Sequence, residues 1–180
     1  VYKRQDEINS LVSLAEESGH EYYDRWEFLN AYSGCMIGNP AISVLTDAYL
    51  KGIRQYDVEK AYRYARNTAE RFGNGERGYS VMSVSKTLEY AYFDWCLAQL
   101  AKVLGHEDDA QFYSERGQNY RNTFNPEVGW FYPRQEDGAY APWRDDARTA
   151  YSFGCEESNL YQQGRCVPQD VDAVSYTHLT

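Results

Sequence analysis

The stretch SVSKTLEYAYFDWCLAQLAKVLG, residues 83–105, carries two apolar stripes where a surface helix ordinarily carries one. Tyr90, Phe93, Leu97, Leu100 and Leu104 recur along one side, and Leu88, Tyr92 and Trp95 along another. A helix over residues 83–104 therefore has to be covered on more than one side. The segments around it differ. After Asp57, a good N-cap, Val58, Ala61, Tyr62, Ala65, Ala69 and Phe72 fall at helical spacing. Glu59, Lys60, Arg63, Arg66, Glu70 and Arg71 fill the other side, and Gly73 closes the helix. Residues 107–124 show the same one-sided design in Ala110, Tyr113, Gly117, Tyr120 and Phe124, stopped by Asn125 and Pro126. Residues 40–53 are largely apolar, with Ile42, Val44, Leu45, Ala48, Tyr49 and Ile53. Alternation of doubly and singly covered helices predicts an all-α toroid, in which inner helices line a cavity and paired outer helices shield them.

From Ala61 to Ala110 the repeat is about 49 residues, longer than tetratricopeptide or ankyrin units, which disfavours a peptide-binding solenoid. After Pro126 the helical period stops. Trp130, Phe131, Tyr132, Pro133, Gly138, Tyr140, Pro142 and Trp143 predict a long aromatic-rich loop or small hairpin, and helical pattern resumes near Glu156.

Of 180 residues, 43% are apolar and 25% charged, as in an ordinary globular chain. Aromatics are abundant at 16%, and Tyr and Trp, which pair a flat apolar face with a polar edge, suit both cores and sugar-stacking surfaces. A net charge of −9 and pI near 4.8 argue against nucleic acid or anionic membrane as partner, since both call for a basic patch. No apolar run is long enough to span a bilayer. The chain lacks an initiator Met and a signal-like segment and begins inside an expected helix around residues 8–15, so its start is read as not the natural N-terminus. SYTHLT, residues 175–180, is similar to the conceptual translation of a transposon adaptor. Residues 1–172 are accordingly expected to be native and 173–180, including His178, an adaptor-derived tail. Cys35, Cys96, Cys155 and Cys166 form no metal-binding spacing and read as small buried residues, with a Cys155–Cys166 disulfide left open.

The stretch with chemical content is GCEESNLYQQGRCVPQD, residues 154–170. Glu156 and Glu157 are followed by Ser158, Asn159, Tyr161, Gln162 and Gln163, a run of hydrogen-bonding groups costly to bury unpaired. Glycoside hydrolysis needs a protonated carboxyl beside the leaving oxygen. A Glu at the start of an inner helix facing a cavity meets that need, although two Glu at a helix N-terminus also simply favour the macrodipole.

Residues 34–62, 83–105 and 120–134 (YRNTFNPEVGWFYPR), with ESNLYQQ and VPQD at 157–163 and 167–170, resemble consecutive segments of the glycoside hydrolase family 92 α-mannosidases. The resemblance runs in family order over about residues 34–172. It implies that residues 1–172 are part of an (α/α)6 catalytic barrel that follows an N-terminal β-sandwich. The implied enzyme is a calcium-dependent, inverting exo-α-mannosidase acting on mannose-containing glycans, bacterial, and periplasmic or extracellular. By motif position Glu157 is the general acid, and Asn159, Tyr161 and Gln162 sit near the sugar. Trp95 is the remaining substrate-binding candidate, lining the cavity or filling the core. The calcium ligands are unknown. Two departures matter: Gln169 stands where the family usually has His, and the Asp-rich motif that would supply the general base lies downstream of the last residue. The fragment alone is therefore expected to be inactive.

For the other carboxylates the bland reading is preferred. Asp47, Glu89 and Asp94 lie on expected inner helices, where they either face the cavity or, the reading preferred, orient the helices by hydrogen bonding, and Asp108, Asp109, Asp145 and Asp146 are exposed pairs without EF-hand spacing. His20 and His106 have no partner nearby in sequence. Two alternatives stay open: another α/α-toroid enzyme, a lyase or epimerase with a Tyr or His base, and a non-catalytic helical binding scaffold.

Overall fold

The computed structural model describes residues 2–29, 31–164 and 166–175. In chain order the elements are α1 (Tyr2–Glu17), β1 (Glu27–Phe28), β2 (Ala31–Tyr32), α2 (Pro40–Leu50), α3 (Val58–Arg71), α4 (Val84–Leu104) and α5 (Glu107–Arg116). A 3-10 turn (Asn119–Thr123), β3 (Phe124–Asn125), β4 (Trp130–Phe131), α6 (Leu160–Gln163) and α7 (Val171–Ser175) follow. The chain divides into two compact units, Val1–Phe72 with Phe93–Glu115 and Gly73–Tyr92 with Arg116–Thr180. The helical fold class agrees with expectation, and α4 runs the length the double stripe requires. Val84, Leu88, Ala91, Leu97 and Ala101 on it are all completely buried.

In the first unit α1 packs on α2 and α3, joining Ile8, Val12 and Ala15 to a core that includes Ile42, Leu45 and Ala65. Asp57 caps α3 as its sequence implies, its Oδ1 accepting the Lys60 N–H at 2.9 Å. Asn39 does not cap the helix it precedes, which starts with Pro40. Its amide donates instead to the Phe72 carbonyl at 2.6 Å, where α3 ends. The buried face of α3 adds Tyr64 and Thr68 to the expected alanines. Thr68 Oγ1 accepts the Tyr23 N–H at 2.8 Å, and the Tyr23 hydroxyl donates to the Ala61 carbonyl at 3.1 Å. Burial therefore pushes the Tyr23 phenol far above its ordinary range. Asp109 takes the Tyr62 hydroxyl at 2.7 Å and Arg66 at 3.0 Å, and Asp47 pairs with Lys51. Asp109, read from the sequence as one of an exposed pair, is thus partly buried and bonded, and Asp47 pairs with the C-cap residue of its own helix. His20 does have a near partner, Asp24 at 3.3 Å four residues on, and His106 reaches Glu59 at 3.0 Å while stacking on Tyr62.

The second unit departs further from the expected helices. The helix read over residues 107–124 stops at Arg116. Gly117 weakens a helix interior, and its carbonyl is taken by Gln169 Nε2 at 3.4 Å. Tyr120 and Thr123 then turn into the core on the 3-10 segment. The aromatic stretch is the expected small hairpin, with Phe124 opposite Phe131 and Asn125 opposite Trp130. The hairpin packs with Val84, Leu88, Ala91, Tyr120, Tyr132 and Leu160 in one cluster. Cys155 and Cys166 are both free thiols, so the disulfide left open does not form, and only Cys96 and Cys155 are buried as expected. The Cys35 and Cys166 thiols are exposed. The expected adaptor tail lies partly outside the described residues, His178 included; its residues 173–175 end α7.

Candidate active site

Helical structure does not resume at Glu156 as the sequence pattern suggested, but at Leu160, and α6 is only four residues long. Residues 152–159 form an irregular loop, because partners from other segments take the backbone groups that a helix would pair internally. The Gly154 carbonyl accepts the Val84 N–H at 2.7 Å, and the Glu156 N–H donates to Ser85 Oγ at 2.9 Å. The Ser152 N–H donates to the Ser158 carbonyl at 2.8 Å and closes the loop on itself. Gly154 has φ +68°, and a Cβ there would lie 2.3 Å from Pro133 Cγ, so the loop is seated directly on the aromatic segment.

The two glutamates have different surroundings. Glu156 stands 3.6 Å from Lys86. Glu157 is exposed and, among the described residues, makes no ion pair. It sits at φ +50°, in the left-handed region where a non-glycine residue is strained by ~1 kcal/mol or more. Its placement is held by the loop around it rather than by a helix start, which removes the macrodipole explanation for the glutamate pair.

Asn159 and Gln162 form a reciprocal capping box at the start of α6. Asn159 Oδ1 accepts the Gln162 N–H at 3.0 Å, and Gln162 Oε1 accepts the Asn159 N–H at 3.1 Å. Both side-chain oxygens are thus committed to the cap. Tyr161 leaves 48% of its surface exposed and lies edge-on to Trp130 at 5.2 Å, with the Arg148 guanidinium over both rings. Trp130 holds α6 through its indole N–H, which donates to the Leu160 carbonyl at 2.8 Å. Glu157, Asn159, Tyr161 and Gln162 therefore share one short surface segment. Trp95 belongs to the first unit, half-buried on its part of α4.

Of the residues that position this segment, Ser85, Lys86 and Arg148 were not singled out from the sequence, and Trp130 and Pro133 were read only as part of the aromatic stretch. Only Gly154 gave a local signal, a lone glycine before the glutamates. Gln169 is half-buried and uses its amide nitrogen on Gly117, while its Oε1 is buried without a partner among the described residues.

Calcium takes about six to eight oxygen ligands. Among the described residues no three His, Cys, Asp or Glu side chains come together as a metal site, so this stretch does not by itself compose a carboxylate cage.

A family model described as the glycosyl hydrolase family 92 catalytic domain matches residues 2–177. The fold is similar to a family GH92 alpha-mannosidase from Bacteroides thetaiotaomicron at 34% identity and TM-score 0.85, covering 95% of this chain and 24% of that one. It is similar to a family GH92 inverting mannosidase from the same organism at 30% identity and TM-score 0.83, covering 94% and 25%. An uncharacterized secreted glycosidase from Arthroderma benhamiae is 28% identical, over 54% of this chain and 15% of that one. The chain thus spans about a quarter of the length of the solved relatives.

Proposed function

The chain belongs to glycosyl hydrolase family 92, and we propose that it is a piece of the (α/α)6 catalytic barrel of an inverting exo-α-mannosidase that cleaves mannose-containing glycans. The observation that carries the reading is the contrast between the two glutamates. Both are exposed, but Glu156 stands 3.6 Å from Lys86, whereas Glu157 makes no ion pair among the described residues and sits on a loop seated against Pro133. A general acid has to reach a leaving oxygen, and Glu157 is the carboxyl with that freedom. Support comes from the similarity to proteins named an alpha-mannosidase and an inverting mannosidase.

In this mechanism Glu157 protonates the departing glycosidic oxygen. A second carboxylate, about 6.5–9.5 Å from the first, activates water on the opposite face of the sugar. Glu156 is adjacent to Glu157 in the chain and tied to Lys86, so we assign the base to a part of the protein outside this stretch, and expect residues 1–180 alone to be inactive. The Asn159 and Gln162 amide nitrogens and the Tyr161 ring are the groups offered to sugar hydroxyls and to a ring face. Calcium binding by the intact enzyme is part of the same proposal. An N-terminal β-sandwich and an extracellular or periplasmic location belong to the same proposal. Among the described residues no helix is long and apolar enough to cross a membrane.

The test is the full-length protein assayed on an α-linked mannobiose, with and without chelator, beside Glu157→Gln. Loss of turnover by about 10²–10⁴-fold in the variant is expected. Full activity in Glu157→Gln removes it from the mechanism. If replacing Tyr161 abolishes turnover in its place, a lyase- or epimerase-type reaction becomes the better reading.

A further inference from the structure

Trp143 has no part in the chemistry above and is 55% exposed, yet it is held rather than loose. One face of its indole lies on Tyr132, with ring centroids 5.9 Å apart and planes inclined by 16°. Tyr132 itself is only 2% exposed, so it is a fixed floor. The Tyr132 hydroxyl donates to the Pro142 carbonyl at 3.2 Å, which anchors the backbone just before Trp143. The indole N–H donates to Asp145 Oδ1 at 3.2 Å, which sets the ring's rotation. Beside it Arg144 makes two bonds to Asp146, each 2.8 Å. The other face of the indole is left open to solvent. The preset orientation means that little freedom would be lost on binding.

We infer that Trp143 is a stacking platform for a pyranose ring of an oligosaccharide, at a subsite removed from the bond that is cleaved. The ligand class follows from the chemistry. A pyranose presents a flat face of C–H groups, which suits the indole's electron-rich face, and a rim of hydroxyls, which suits the Asp145 carboxylate bonded to the indole and the Arg144–Asp146 pair that flanks it in the chain. A protein partner would prefer an apolar rim, and a nucleic acid would be repelled by the two carboxylates. The platform is joined to the loop bearing Glu157. Phe153 meets Tyr132 edge-on at 5.6 Å, and Pro133 is the residue against which Gly154 closes. For its place in catalysis this inference rests on the glycosidase reading, which makes glycans longer than a disaccharide the substrates that gain from it.

Two measurements on the full-length protein test it. In kinetics, Trp143→Ala is expected to raise KM for a linear α-mannotriose about tenfold, equivalent to ~1.4 kcal/mol. kcat and the KM for an aryl α-mannoside should be unchanged, and Trp143→Tyr should recover most of the loss. In binding, the protein carries 5-fluorotryptophan, and the ¹⁹F resonance of position 143, assigned by its absence in Trp143→Phe, is followed with α-mannotriose, maltotriose and cellotriose. A shift with any of them, even from a protein inactive on α-mannosides, upholds the platform while the mannosidase reading falls. An active enzyme whose mannotriose KM ignores Trp143→Ala overturns the inference. So does a resonance that none of the three sugars moves.

Discussion

Helix α3 keeps its shape through bonds between near neighbours, starting from Asp57 three residues before Lys60. The loop at residues 152–159 is held by partners far along the chain, with Ser85 lying 71 positions from Glu156. Both are well-defined backbone, but one is specified locally and the other by tertiary contacts. The difference explains where candidate chemistry sits. A capped helix would bond its own backbone groups and point its side chains at fixed angles. The pinned loop instead leaves the Glu157 carboxylate exposed, just ahead of the short capped α6 that carries Tyr161 and Gln162.

The sharpest way to break this contrast is Gly154→Ala. The new methyl would meet Pro133 at 2.3 Å and sit at φ +68°, so a loss of ~3 kcal/mol is expected in urea unfolding. Gly52→Ala is the comparison, at φ +86° with nothing within 4 Å of the added carbon, and should cost only about 1 kcal/mol. If the two variants unfold at the same midpoint, the Pro133 contact is not what seats the loop. Asp57→Ala addresses the local side. Removing its bond to Lys60 should cost ~1 kcal/mol, with faster amide exchange at the start of α3 and no change around residues 152–159.

The smallest effect is expected where the two modes meet, at Asp170, which precedes α7. The Tyr120 hydroxyl at 2.5 Å, then the Ala173 N–H and Arg121, hold its carboxyl below the ordinary value of 3.8 against the opposing effect of desolvation. A depressed folded-state pKa contributes stability above the unfolded value that is lost as pH falls through the folded value. Asp170→Asn should therefore melt slightly below wild type at pH 7, with the gap closing below about pH 4. A gap that persists in acid would mean that shape rather than charge makes the contact.

The fold was legible wherever side chains repeat with a helical period. The double stripe of α4, the one-sided α3 and the Asp57 cap follow from residues within a turn or two of each other. The same period misled at Gly117, where Tyr120 and Phe124 continued the stripe although Gln169, 52 positions away, takes the Gly117 carbonyl. It misled again at Glu156, because a polar run before LYQQ looks like a helix start when the true cap is Asn159. Glu157 itself was found through its motif, not through its surroundings. Trp143 read as one more aromatic, since nothing local shows which face it buries.

By itself the sequence determined the helical class, the extent of α4, the family and the segment that carries the candidate acid, because each rests on residue types in a fixed local order. Only the tertiary structure decided that Glu156 meets Lys86 while Glu157 makes no ion pair among the described residues, that Asn159 and Gln162 cap each other, and that Trp143 lies flat on Tyr132. Those outcomes depend on Lys86, Ser85, Trp130 and Pro133. Hydrogen bonds and steric contacts between residues distant in the chain leave no periodic trace in its sequence.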